Sequence, residues 1–150
     1  MKRFFIMLTA FFAALNYCAA QTAEDSVKAT INQLFDAMKN ADAAALKDAF
    51  ADSAVLQTIV TVKEGKIAVR NEVVADFADF IAKTAKGDAD ERISFETIKI
   101  DGPLAIAWTP YKFYYKGQYS HCGVDSFQLV RVNGKWKIVY LIDTRRKECT

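Results

Sequence analysis

His121 and Asp125 are the side chains best suited to proton chemistry. His121 is the single histidine in a chain of 150 residues, and an imidazole titrates near neutrality, so it serves readily as acid or base. Asp125 follows four residues later. In an extended strand that spacing puts both side chains on one face, ~13 Å apart. The separation is too long for a direct hydrogen bond, so without a bulge they act as two separate groups of one pocket. An aspartate enclosed by Trp108, Phe127 and Tyr140 has its pKa raised by desolvation, as a proton-abstracting base requires. The competing reading gives Asp125 a structural hydrogen bond and leaves His121 exposed near the start of its strand.

Trp108, Tyr114, Phe127 and Tyr140, with Asp125, form the expected ligand pocket, because aromatic rings offer a flat ligand both area and a polar handle. Phe127 and Trp136 suit a plain apolar core better than a ligand wall. Asp143, Arg145 and Arg146 end the last strand, where they form either an anion clamp at a pocket mouth or solvated surface pairs. One histidine and no clustered carboxylates make no metal-ligand set, so no metal and no cofactor is expected. Cys122 adjoins His121 but points to the other side of the strand, which disfavours a cysteine nucleophile.

The elements that must position these groups follow from periodicity. Val27, Ile31, Leu34, Phe35 and Met38 recur at helical spacing across 23–40, with Glu24 and Asp25 in the first turn, where the helix dipole favours acids. Asp42 caps a short helix over 43–50. Two β-branched stretches, 54–62 and 66–69, flank a turn at Lys63-Glu64-Gly65. Asn71 caps a third helix over 72–86, ended by Gly87. From Glu91 onward four long strands follow (92–100, 104–115, 119–132 and 135–144), joined by turns at Asp101-Gly102-Pro103, at Lys116-Gly117-Gln118 and at Asn133-Gly134, the strongest of the hairpin signals.

Hairpin turns dictate which side chains share a face. A two-residue Asn133-Gly134 turn pairs Val132 with Lys135, Arg131 with Trp136, Leu129 with Ile138, Phe127 with Tyr140 and Asp125 with Ile142. A two-residue turn near Gly117 then sets Leu104, Ile106, Trp108, Lys112 and Tyr114 beside His121, Asp125 and Phe127, facing the helices. A three-residue turn instead brings Tyr111, Phe113 and Tyr115 inward. In the first register those three aromatics face outward, and a homodimer formed through that sheet face would cover them.

The N-terminus carries Lys2 and Arg3, an apolar run over 4–15, and small residues at Cys18 and Ala20 ahead of Gln21. This is the layout of a secretory signal peptide spanning residues 1–20, with 21–150 as one mature domain in a secreted or periplasmic location. A lipid-anchored Cys18 is the alternative, disfavoured by the bulky Tyr17. The apolar run is well short of the roughly 20 residues that cross a bilayer as a helix. Losing the leader lowers the formal net charge from +2 to 0, so nothing draws the mature chain to nucleic acid or anionic membrane. Cys122 and Cys149 remain, either as a disulfide closed in an oxidising compartment or as two free thiols.

The order of elements, together with His121-Cys-Gly-Val-Asp-Ser-Phe-Gln-Leu-Val-Arg-Val-Asn-Gly-Lys-Trp-Lys-Ile-Val, resembles the nuclear transport factor 2-like superfamily, in particular its secreted bacterial lumazine-binding and polyketide-cyclase-like branch. The resemblance implies an α+β cone: three N-terminal helices packed on a strongly curved, mainly antiparallel sheet, open at one end into an apolar pocket. Relatives of this kind include ketosteroid isomerases, scytalone dehydratases, polyketide cyclases and epoxide hydrolases, and also members without catalysis. No motif of this chain lets the isomerases' catalytic positions be carried over. Three functions are therefore expected: a secreted binder of a small hydrophobic or aromatic molecule; an isomerase, dehydratase or cyclase moving a proton on a hydrophobic carbonyl compound, with Asp125 as base and Tyr114, Tyr140 or His121 as donor; or a dimerisation and partner-binding module.

Overall fold

The computed structural model describes residues 22–149; the expected leader and its cleavage point lie outside them. Helix α1 spans Ala23–Asn40. Thr22 caps it reciprocally with Asp25: the Asp25 amide donates to the Thr22 hydroxyl (3.1 Å), and the Thr22 amide donates back to the Asp25 carboxylate. Ala41, in the left-handed conformation, stops the helix. Asp42 then accepts from the amides of Ala44 and Ala45 to start α2, Ala43–Ala49.

The chain turns at once into strand β1, Phe50–Thr61, and returns as β2, Ile67–Glu72. The third helix is shorter than its periodicity suggests: α3 covers Val74–Ala82, and its N-cap is Val73, with no side-chain cap. Asn71 and Glu72 instead pair with Gln57 and Leu56 in the β1–β2 ladder. Ladder hydrogen bonds thus outweigh the local capping signal.

The expected single strand over 92–100 is two strands, β3 (Ala89–Ile93) and β4 (Thr97–Asp101), both paired with β5 (Leu104–Tyr115). The break lies opposite Pro110, which has no amide proton for the ladder; the Ser94 amide bonds the Pro110 carbonyl across it. Strands β6 (Gln118–Val132) and β7 (Lys135–Thr144) complete a seven-stranded sheet of order β2-β1-β7-β6-β5-β3, with β4 also on β5. All pairings are antiparallel except β1 with β7. The helices close over one face, and Val27, Ile31, Leu34, Leu46, Phe127, Leu129 and Ile138 form the buried core between the layers.

Both long hairpins turn on two residues with positive φ, Lys116-Gly117 and Asn133-Gly134, as expected. Each hairpin then carries a bulge that the turn chemistry does not encode. In β6, Tyr114 pairs with Tyr119 but Phe113 pairs with His121, leaving Ser120 as the extra residue. In β7, Leu129 pairs with Ile138 but Gln128 pairs with Tyr140, leaving Val139 extra. One inserted residue flips every later side chain to the other face. Two expected pairings are thereby corrected: Phe127 opposes Leu141, and Asp125 opposes Asp143.

Candidate functional site

The flips decide the site. Tyr111, Phe113 and Tyr115 face the helices and line a cavity of about 770 Å³, while Trp108 and Tyr114 lie on the outer face. Trp108 is 45% exposed. Tyr114 packs edge-on against Tyr119 and beneath the Arg92 guanidinium, 4.3 Å from the ring centre. Tyr140 is outward too, donating to the Gln57 side chain at 2.6 Å. Phe127 faces inward but is fully buried core, edge-on to Phe35. Of the expected pocket set, Asp125 alone lines the cavity; Trp108, Tyr114, Phe127 and Tyr140 do not. His121 lines it as well.

The walls are mainly apolar. Helix α1 contributes Leu34, Phe35 and Met38, and α3 contributes Phe77, Phe80 and Ile81. Val73, Phe80 and Tyr115 are exposed cavity residues and mark the mouth. Polar groups gather at the inner end, on neighbouring strands: Glu91 of β3, Tyr111 of β5, Asp125 of β6 and Asp143 of β7. Glu91 and Tyr111 are functional candidates that sequence reasoning missed. The signal that could have found them is Lys112, a charge whose preference for the solvent side turns its neighbours Tyr111 and Phe113 inward.

Tyr111 reaches across the sheet because Gly123, opposite it, has no side chain. A Cβ there would meet the Thr144 carbonyl and come within 2.8 Å of the Tyr111 ring. The phenol donates to Asp143 Oδ2 (3.1 Å) and to the Thr144 carbonyl (2.9 Å). Burial, with the Asp143 charge adding to it, pushes the phenol's pKa up. Arg145 Nε donates to the same Asp143 oxygen at 2.8 Å, and its other end approaches Glu72 at 3.6 Å. Burial opposes the guanidinium's charge, but the bond to Asp143 outweighs it and raises the pKa.

Asp125 is 3% exposed and accepts from Thr109 at 3.3 Å. Burial first, then the charges of Glu91 and Asp143, raise its pKa well above the carboxylate range. Glu91 is pushed up to about 8, chiefly by burial and then by Asp143. At neutral pH Glu91 therefore holds its proton and can donate a hydrogen bond, and Asp125 is raised by desolvation, as expected for an enclosed carboxyl. The two interact directly, so they titrate as a pair.

His121 makes no dyad with Asp125. Its Nδ1 lies 3.0 Å from the Ser120 hydroxyl, and its ring packs against Tyr111 and Phe113. Burial and the nearby Arg145 lower its pKa, so it stands neutral at pH 7. Arg146 takes no part in a clamp; its backbone bridges Cys122. Cys122 and Cys149 are disulfide-bonded on the outer side, tying the tail after β7 to β6. Among the described residues no group of three or more His, Cys, Asp or Glu could hold a metal ion, and no helix is long and apolar enough to cross a membrane.

Three helices on a curved, mostly antiparallel sheet that opens into a cavity define a nuclear transport factor 2-like protein. Solved structures agree. A nuclear transport factor 2-like protein of unknown function from Shewanella baltica OS155 is 18% identical, with 83% of this chain and 94% of that chain covered at a TM-score of 0.64. One from Methylobacillus flagellatus KT is 21% identical, covering 82% and 91%, at 0.62. A Nostoc punctiforme PCC 73102 domain of unknown function with a cystatin-like fold is 18% identical, covering 83% and 78%, at 0.64. At these identities the likeness is one of fold. Residues 22–141 match the family described as Putative lumazine-binding, and the chain belongs to that family. No curated protein matches it.

Proposed function

We propose that this chain is an exported small-molecule-binding protein whose cavity takes a flat, largely apolar ligand and grips its polar edge at the inner end. The observation that carries the reading is a cavity of about 770 Å³ with aromatic walls and one cluster of hydrogen-bonding groups at its base. That combination of apolar area with a few convergent polar groups is what a small-molecule site requires. Family membership supports a ligand-binding role. A pteridine-like bicyclic compound is a fitting first probe. Binding without chemistry is favoured over proton abstraction because His121 is paired with Ser120 and lies too far along the strand to exchange a proton with Asp125 directly.

Native mass spectrometry of protein purified from its own host tests the reading. A retained small molecule, lost when Phe113 is replaced by Ala, is the expected result. Ligand-free protein that also gives no heat with bicyclic heteroaromatics would reject it. If Asp125→Asn abolished a measurable turnover while ligand affinity survived, the enzyme reading would replace it. Export is tested by N-terminal sequencing of the protein recovered outside the cytoplasm: it should begin at Gln21, and recovery only in the cytoplasm with Met1 retained would sink that part. We further propose a homodimer. The surface that supports it is the outer sheet face carrying Leu104, Ile106 and Trp108, in place of the Tyr111–Phe113–Tyr115 face expected from sequence.

A further inference from the structure

We propose that the cavity selects a flat cationic ligand, an aromatic ring system bearing a protonated amidine or amine, with its charge seated between Glu91 and Asp125 and its rings against Phe77 and Phe113. This deepens the binding reading and rests on it.

The argument is one of charge complementarity. Acids reach the cavity from five elements: Glu72 from β2, Asp76 from α3, Glu91 from β3, Asp125 from β6 and Asp143 from β7. Helix α1 and strand β1 contribute no charge there, and β5 adds only the phenols of Tyr111 and Tyr115. Arg145 is the one guanidinium, and it is already committed to Asp143 and Glu72. Neutral His121 supplies no second positive charge. Glu91 and Asp125 are therefore left without a cation.

Nor does either carry a charge-assisted hydrogen bond from a cation among the described residues. Asp125, though almost wholly buried, accepts only through Oδ2, from the neutral Thr109 hydroxyl. Among the described residues the hydrogen-bonding neighbour of Glu91 is Asp125, another acid. Each carboxyl opposes ionisation of the other, a repulsion that a seated cation would relieve. A purely apolar ligand would leave that repulsion in place. An amidinium presents its donors in one plane and can serve both carboxylates with charge-assisted bonds, while its rings gain area and cation–π attraction from the aromatic wall. Without a ligand the raised pKa values favour protons on the pair, with Glu91 pushed up to about 8. Seating a cation must release them, so affinity for it rises with pH until both carboxyls are ionised.

A matched pair of probes tests the proposal: 2-naphthamidine, a cation, and 2-naphthamide, its neutral counterpart of nearly the same shape. Isothermal titration of the mature protein between pH 6 and 9 should show naphthamidine binding at least tenfold tighter at pH 8. Buffers of different ionisation enthalpy should report net proton release on binding at pH 6, diminishing toward pH 9. Glu91→Gln and Asp125→Asn, which keep side-chain size, should each weaken naphthamidine tenfold or more and leave naphthamide within about twofold, with thermal melts verifying that both variants are folded. Equal or tighter binding of naphthamide, or naphthamidine affinity indifferent to both substitutions, would overturn the cation preference while leaving the cavity a binding site. Binding of neither probe, with a host-derived ligand also absent, would overturn the binding reading itself.

Discussion

Gly123 carries more of the site than any polar residue, because its missing side chain lets Tyr111 cross to Asp143 and the Thr144 carbonyl. The neighbour that an added methyl would strike is backbone, which cannot swing aside. Gly123→Ala should therefore cost about 2–3 kcal/mol through overpacking, read as a lower denaturant midpoint. Unchanged stability would mean that Tyr111 is not held across the strand as described. Glu91 makes the pH dependence predictable. Its folded pKa, about 8, lies above the unfolded value, so the folded state binds the extra proton. Stability is then greatest below about pH 4, where folded and unfolded Glu91 are both protonated as far as this group is concerned, and it falls as pH rises toward 8. Between pH 6 and 9 the wild type should lose at least about 1 kcal/mol that Glu91→Gln does not lose. Parallel melting curves for the two proteins across that range would contradict the assignment.

At the scale of elements, the sequence was legible wherever local chemistry decides the outcome. Helix α1 begins and ends where its apolar spacing and left-handed stop place it, Asp42 caps α2, and both two-residue turns form at the positions their Lys116-Gly117 and Asn133-Gly134 dipeptides select. What could not be read was long-range register. Ser120 and Val139 carry no bulge signature, yet each inserts one residue and reverses the faces beyond it. The reversal moved Trp108, Tyr114 and Tyr140 out of the cavity and brought Tyr111 and Phe113 in. Burying Lys112 was the physical inconsistency in the unbulged register. Helix α3 was misjudged for a related reason: the β1–β2 ladder claims Asn71 and Glu72. The tail after β7 adds a testable constraint. Cys122 and Cys149, 27 residues apart, close a loop worth about 3 kcal/mol by loop-entropy arithmetic. Tyr119 also anchors the tail by donating to the Lys147 carbonyl. Cys149→Ser should lower stability by about that amount and expose the segment beyond Arg145 to proteases. A variant as stable and as resistant as the parent would show that the bond does not form in the mature protein.

For the whole molecule, the outer face of the sheet raises a question that the cavity does not. Across it, one row runs Thr97, Trp108, Ser126 and Ile142, and the next runs Lys99, Ile106, Gln128, Tyr140 and Val55. Lys99, at the β4 end, is the one charge in these two rows, and Val55, Leu104, Ile106, Trp108 and Val132 are all exposed. A face meant for water would scatter lysines and glutamates among such side chains. The proposed homodimer would cover it with a second copy of the same face, two-fold symmetry setting the apolar centre around Ile106 and Trp108 against itself and leaving Lys99 at the rim. A stable pairing buries about 800 Å² per partner, within reach of two rows spanning five strands. Trp108→Glu combined with Ile106→Lys places charges in the middle of that contact, while both side chains point away from the cavity. The double variant should elute as a monomer in light-scattering chromatography and bind the cavity's ligand with affinity within about twofold of the parent, because neither substituted side chain lines the cavity. If the parent itself elutes as a monomer at micromolar concentration, the outer face does not pair copies of this chain and the homodimer is rejected, with the cavity's ligand chemistry unaffected.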